Sequence, residues 1–391
     1  MATTAQLIRG WSGPALLAGG FRPFFLMGAV WAGFAMIWWL LMLAGRAPMP
    51  GVLMGADWHA HAMIFGYGGA VVAGFLLTAI PNWTGRLPVA GGPLAGLAGL
   101  WLAGRIATTA AVAAPVVVAV LDLAMPVVLL ALMAREIATG KNWRNLPVLG
   151  ICGLFAAGQA LFHIHGPGAA QGAGLRLSLA ALVMLMALIG GRIIPSFTRN
   201  WLVKQGGASL PAPMDRLDKA ALIVTAVALI AFVAWPGGAA VPLALAGAAL
   251  LARLSRWRGW ATRSQPLLWV LHLGYAWVAL GFFTAAAAGA GLMAASGALH
   301  GWMAGAVGVM TLAVMARASL GHTGRDLAAG PGLVGVFAAI NIAALLRVAA
   351  AIWPGAVGLL HAAGTAWIIA FAGFALMFWP VLTRPRLASR G

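Results

Sequence analysis

The sequence predicts an all-α, polytopic integral membrane protein of about twelve transmembrane helices. Hydrophobic residues make up 63% of the 391 and charged residues 8%. A soluble domain carries roughly 25% charged residues, so this chain cannot clothe itself in a polar shell. Mean hydropathy is +0.97, and the apolar residues come in runs suited to a bilayer core, which takes about 20 residues of helix. The cations fall singly or in small groups between those runs, as expected of charges that orient helices.

Breaks at Pro, Gly and charge divide the runs into spans near 23–44, 61–80, 93–112, 115–134, 146–163, 174–194, 219–235, 239–254, 266–287, 298–317, 332–352 and 356–382. The stretch from Phe24 to Ala44 is longer than a signal-peptide apolar region and reads as a retained first helix. No segment is polar and long enough to fold as a soluble domain, so one transmembrane domain is expected over 1–391. The formal charge of +18 has no basic block behind it, so nucleic acid is rejected as a partner and membrane lipid is expected. Cys152, the single cysteine, lies in an apolar run and reads as an inert core thiol.

Charge sets the expected orientation. With the N-terminal tail and every even-numbered helix end on one side, that side takes 20 of the 24 Lys and Arg, from Arg9 to Arg390. Only Arg46, Arg105, Arg176 and Arg347 fall on the other. The positive-inside rule places the first side, and both termini, in the cytoplasm.

Helices 2, 6 and 10 finish in similar polar segments: Pro81-Asn82-Trp83-Thr84-Gly85-Arg86, Pro195-Ser196-Phe197-Thr198-Arg199-Asn200-Trp201, and Ala318-Ser319-Leu320-Gly321-His322-Thr323-Gly324-Arg325. Their threonines stand 114 and 125 residues apart, about four helices each. Three four-helix repeats follow as an expectation, at about 20–135, 136–255 and 256–385. The segments read either as capped helix ends or, with Arg192 and Arg317 just inside their helices, as contacts for an anion or a haem propionate.

The histidines gather on one side. His59 and His61 open helix 2, His163 and His165 close helix 5, His300 opens helix 10, and His361 lies about 8 Å into helix 12 at 1.5 Å per residue. All six fall toward the outer face, while His272 and His322 lie toward the cytoplasm. Imidazole suits iron, copper and zinc, whereas hard cations want carboxylates. Of six acidic residues only Asp57 is expected near the histidines, which argues against a carboxylate proton relay and against magnesium or calcium. A two-residue spacing turns paired rings about 200° apart on a helix. Each pair therefore either unwinds its helix or serves two centres. Met63 and Met303 share faces with His59 and His300 and read as packing.

Several stretches resemble the NnrS family: Gly20-Phe21-Arg22-Pro23-Phe24-Phe25, Trp58-His59-Ala60-His61, and Phe75 to Gly85. So do Gly190 to Asn200 and Met315 to Arg325. The blocks run from the first helix to the tenth. The resemblance implies a bacterial inner-membrane protein containing haem and copper, linked to nitric oxide metabolism and nitrosative stress defence. The family usually follows the Trp-His-Ala-His block with Glu, and here the position is Ala62. Any proton-consuming turnover assigned to that carboxylate is in question.

Twelve helices in three arcs of four is also the plan of haem-copper oxidase and nitric oxide reductase catalytic subunits, a likeness of fold alone. There, histidines of helices 2 and 10 hold a haem from opposite faces. The corresponding expectation is a b-type haem on His61 and His300, with His59, His163 and His165 available to copper or a second haem, and His361 nearby. Arg22, Arg192 and Arg317 are candidate propionate or anion contacts. Helices 6 and 7 carry no histidine, so the oxidases' copper site is not reproduced. Nitric oxide or an iron–nitrosyl species is the expected small-molecule partner, and turnover as an oxidoreductase would add an electron donor. The alternatives are a transporter of a metal, haem or anion, and a nitric oxide sensor.

Overall fold

A computed structural model describes residues 11–48, 52–110, 114–353 and 355–387. Arg9 and Arg390, counted among the cytoplasmic charges, lie outside the described residues. Among those described there is helix and no strand. Twelve long helices follow one another: α1 Phe21–Leu43, α2 Ala56–Thr84, α3 Gly92–Thr109, α4 Pro115–Thr139, α5 Leu146–His165 and α6 Ala173–Lys204. The remaining six are α7 Arg216–Ala234, α8 Ala240–Ser255, α9 Pro266–Gly289, α10 Ala295–His322, α11 Pro331–Ile352 and α12 Val357–Thr383.

The expected number of helices is present, and ten of the twelve are by themselves long and apolar enough to cross a membrane. The exceptions have physical reasons. Helix α8 has 16 residues, about 24 Å at 1.5 Å per residue, short of a hydrocarbon core of about 30 Å. Helix α3 is diluted by its glycines and by Arg105. Helices α2, α6 and α10 run past their expected ends, because the polar segments after their apolar cores are themselves helical to Thr84, Lys204 and His322. Pro81 and Pro195 sit inside α2 and α6 without ending them.

The same three helices each contain a π-helical segment: Ala62–Gly68, Met186–Gly190 and Gly301–Met310. A π turn is wider than an α turn and breaks the regular backbone ladder, which is why such segments often mark functional positions. In α2 two indoles bond the carbonyls of this stretch: Trp31 donates to Ala62 O at 2.9 Å and Trp101 to Gly66 O at 3.0 Å.

The chain forms two compact units. The first takes the described residues of 1–178, 315–326 and 371–391. In it α1 packs on α2, α3 on α4, and α4 on both α2 and α5. The second takes 179–314 and 327–370, with α9 between α8 and α10, α7 on α8, and α11 on α10.

The second unit is pinned by Arg253, 0% exposed. Its guanidinium donates to Asp218 at 2.7 Å, to the Ala187 carbonyl in the π segment of α6 at 2.8 Å, and to the Tyr275 hydroxyl at 3.0 Å. Asp215 caps α7 in a reciprocal capping box with Asp218. Outside the helices, Arg256 beside Asp215 holds that carboxyl down to about 2. A methyl at Gly191 would stand 2.2 Å from Arg253 Nη2, and the guanidinium is held in place through its Nε and Nη1. Gly191→Ala is therefore expected to dislodge Arg253 from Asp218 and destabilise by about 3 kcal/mol, the scale of a broken buried ion pair. Thermal unfolding in mild detergent checks this, and wild-type stability would show that the guanidinium can reseat.

Candidate metal centre

The candidate site lies in the first unit and is built on a carboxylate. Asp122 is the eighth residue of α4, 2% exposed in an otherwise apolar stretch. A lone carboxylate at such depth is costly and needs partners. Its Oδ2 receives His61 Nε2 at 2.7 Å, His163 Nε2 at 2.8 Å and Gln159 Nε2 at 2.7 Å. Its Oδ1 accepts from Arg105 Nη2 of α3. Arg105 is as deeply buried, 2% exposed, with its guanidinium near the faces of Trp31 and Trp101.

Helix geometry explains which histidines arrive. His61 is the last α-helical residue before the π segment of α2 and is fully buried, packed by Phe65, Phe162 and His163 with ring centroids 5.0 to 5.5 Å apart. His59, two residues earlier, faces elsewhere and stacks on Trp39 at 4.6 Å. His163 turns inward from α5 while His165 is exposed. The helices stay wound at both pairs, so the 200° separation sends one ring of each pair to the cluster and the other away. Asp57 is not a ligand. Its carboxylate accepts from the backbone of Gly168 and Ala170 at 2.8 and 2.7 Å, tying the turn after α5 to the start of α2.

The other candidates are placed differently. His300 donates Nδ1 to the Ser296 carbonyl at 2.7 Å in the second unit, and His361 is exposed on α12. His272 shares its Nε2 with the Thr198 hydroxyl at 3.0 Å in the second unit. Arg22 is buried, but its Nη1 donates to the Leu382 and Arg384 carbonyls at 2.8 Å each, closing the end of α12. Arg192 and Arg317 are half-buried in α6 and α10, and each has an interaction partner. The sequence reading missed Asp122, Arg105 and Gln159, and its inference that only Asp57 lies near the histidines is corrected. The missed signal was a lone Arg and a lone Asp at similar distances from the short turn between α3 and α4.

The chemistry of this donor set fits a metal ion. One atom from each of His61, Asp122 and His163 lies within 4.8 Å of the others. Two imidazoles and a carboxylate suit copper, zinc or iron. Three nitrogens converge on one carboxylate oxygen, more than its two lone pairs accept well. With Asp122 ionised and both Nε2 atoms donating, His61 Nδ1 is left as a buried nitrogen without a partner. A haem does not fit at His61: Asp122 occupies the Nε2 direction at 2.7 Å and aromatic rings pack the imidazole. Beside the cluster lies a cavity of ≈ 20 Å³ between Phe65, Trp101, Arg105, Asp122, Cys152 and Gln159. That is room for one water-sized molecule.

The sequence model of the family described as NnrS protein matches residues 15–386. The chain belongs to the NnrS family. The match takes in every residue of the cluster and ten apolar helices long enough to cross a membrane. NnrS membership points to a role in the response to nitric oxide. No curated protein matches the chain.

Proposed function

We propose that this NnrS chain is a haem- and copper-binding inner-membrane protein of nitric oxide metabolism and nitrosative stress defence, and that His61, Asp122 and His163 hold its copper. The observation that carries the reading is the convergence of two imidazoles and a buried carboxylate from three helices on one point. Bound there, copper supplies a one-electron redox centre with affinity for nitric oxide.

The protein's own groups define the conditions. Arg105 already neutralises Asp122, so an ion entering the cluster adds its full charge to a buried site. A dication is penalised more than a monocation in such surroundings, which favours copper in its monovalent state over zinc. Gln159 and Arg105 orient the carboxylate, as outer partners of metal ligands commonly do. The adjoining cavity, with room for one water-sized molecule, is lined by Arg105 and Gln159 together with Phe65 and Trp101. Haem enters through the family likeness, and its ligands would come from outside the cluster: His59, His165, His300 and His361. The π segments shared by α2, α6 and α10 support three related groups of four helices. The charge count supports cytoplasmic termini.

The test is to purify the protein in mild detergent, measure its metals and record oxidised and reduced spectra with and without nitric oxide. The expected result is about one copper per chain, with b-type haem bands that shift on adding nitric oxide. A folded protein that is colourless and metal-free would overturn the proposal and leave transport of a metal, haem or anion as the working alternative.

A further inference from the structure

Two of the family blocks, Gly20 to Phe25 and Met315 to Arg325, play no part in the metal cluster, yet the first unit brings them together. The Phe21 ring packs on His322 with centroids 5.4 Å apart. Arg22 donates to the carbonyls of Leu382 and Arg384, and Leu387 N donates to the Thr323 carbonyl at 3.0 Å. The stretch after α12 is thereby strapped along the stretch after α10. Gly324 makes the close approach with φ +72, and a methyl there would lie 2.8 Å from the Leu387 carbonyl and 3.5 Å from Arg386 Nε.

Among the described residues the strap gathers cations that join no ion pair. The Arg384 charge acts on Arg325 and that of Arg325 on Arg22, while Arg386 acts on His322. Asp326, next in sequence, joins no ion pair among the described residues. Arg325 Nη1 is shielded from solvent and has no hydrogen-bond partner. A buried donor left unsatisfied is expensive, more so among like charges. A guanidinium fork matches the paired oxygens of a phosphate group. By the charge count this end faces the cytoplasm, where basic pockets at helix ends meet anionic headgroups.

We propose that Arg325, Arg384 and Arg386 form a binding site for a phosphate group, carried by an anionic phospholipid or present as the free ion. The full chain in mild detergent is titrated with phosphatidylglycerol, phosphatidylcholine or inorganic phosphate while thermal unfolding is followed. A ligand that binds only the folded state raises the transition temperature with concentration. Stabilisation by phosphatidylglycerol but not by phosphatidylcholine or inorganic phosphate identifies a headgroup site. Stabilisation by inorganic phosphate identifies a site for the free ion. In either case Arg325→Gln and Arg386→Gln are expected to need about tenfold more ligand for the same shift, the worth of one charge-assisted contact. Arg386 is exposed, so its variant serves even if Arg325→Gln does not fold. No stabilisation by phosphatidylglycerol or phosphate, or an undiminished response in Arg386→Gln, overturns the proposal.

Discussion

Asp122→Asn is expected to abolish metal binding and to destabilise the protein by about 3–5 kcal/mol, the cost of leaving one partner of a buried ion pair uncompensated. Asparagine matches the carboxylate in shape, so packing is unchanged. What disappears is the negative charge that accepts from His61, His163, Gln159 and Arg105. Arg105, 2% exposed, then keeps its charge with no anion in reach. The double variant Asp122→Leu, Arg105→Met separates structure from ligation. Replacing both members by apolar groups removes the uncompensated charge and is often neutral or stabilising. The double variant should therefore regain the part of the stability lost to the bare Arg105 charge, while His61, His163 and Gln159 still lack their acceptor and metal stays unbound. Thermal unfolding in detergent and metal analysis on the same samples check both halves. If the double variant binds metal normally, Asp122 is a structural counter-ion and not a ligand.

Alanine variants of the histidines should divide sharply by helix face. His61→Ala and His163→Ala are each expected to weaken metal binding by more than about 100-fold, since even outer partners of metal ligands contribute 10- to 100-fold. His59→Ala and His165→Ala should change it little, because those rings face Trp39 and solvent. The stability costs should differ as well. His163 is half-buried and loses one hydrogen bond, about 1 kcal/mol, whereas His61 is fully buried among rings and leaves a cavity, about 2–4 kcal/mol. Competition titrations with a copper chelator give the affinities. Equal losses from all four variants would contradict the assignment.

The twelve helices were legible in the sequence because a bilayer demands apolar runs of set length, and their boundaries mostly fell within a few residues. The continuation of α2, α6 and α10 through polar sequence was less legible, since Pro81 and Pro195 read as ends when taken alone. That α2 and α5 would bring a histidine each to one place was legible from span order. Which of each pair would turn inward was not, because rotation of a helix about its axis is set by packing against its neighbours. Counting acids by nearness in sequence picked out Asp57, which holds a turn, and passed over Asp122, which the α3–α4 hairpin delivers. A single buried carboxylate invites a search for its cation, and Arg105, one of only four cations assigned to the outer side, was the natural partner.

Copper X-ray absorption on the reduced protein tests most directly whether two imidazoles and one carboxylate of the first unit share an ion. The predicted result is a copper bound by two imidazole nitrogens and one oxygen, lost in His163→Ala and intact in His59→Ala. A copper spectrum without imidazole scattering, or one unchanged by His163→Ala, would contradict it.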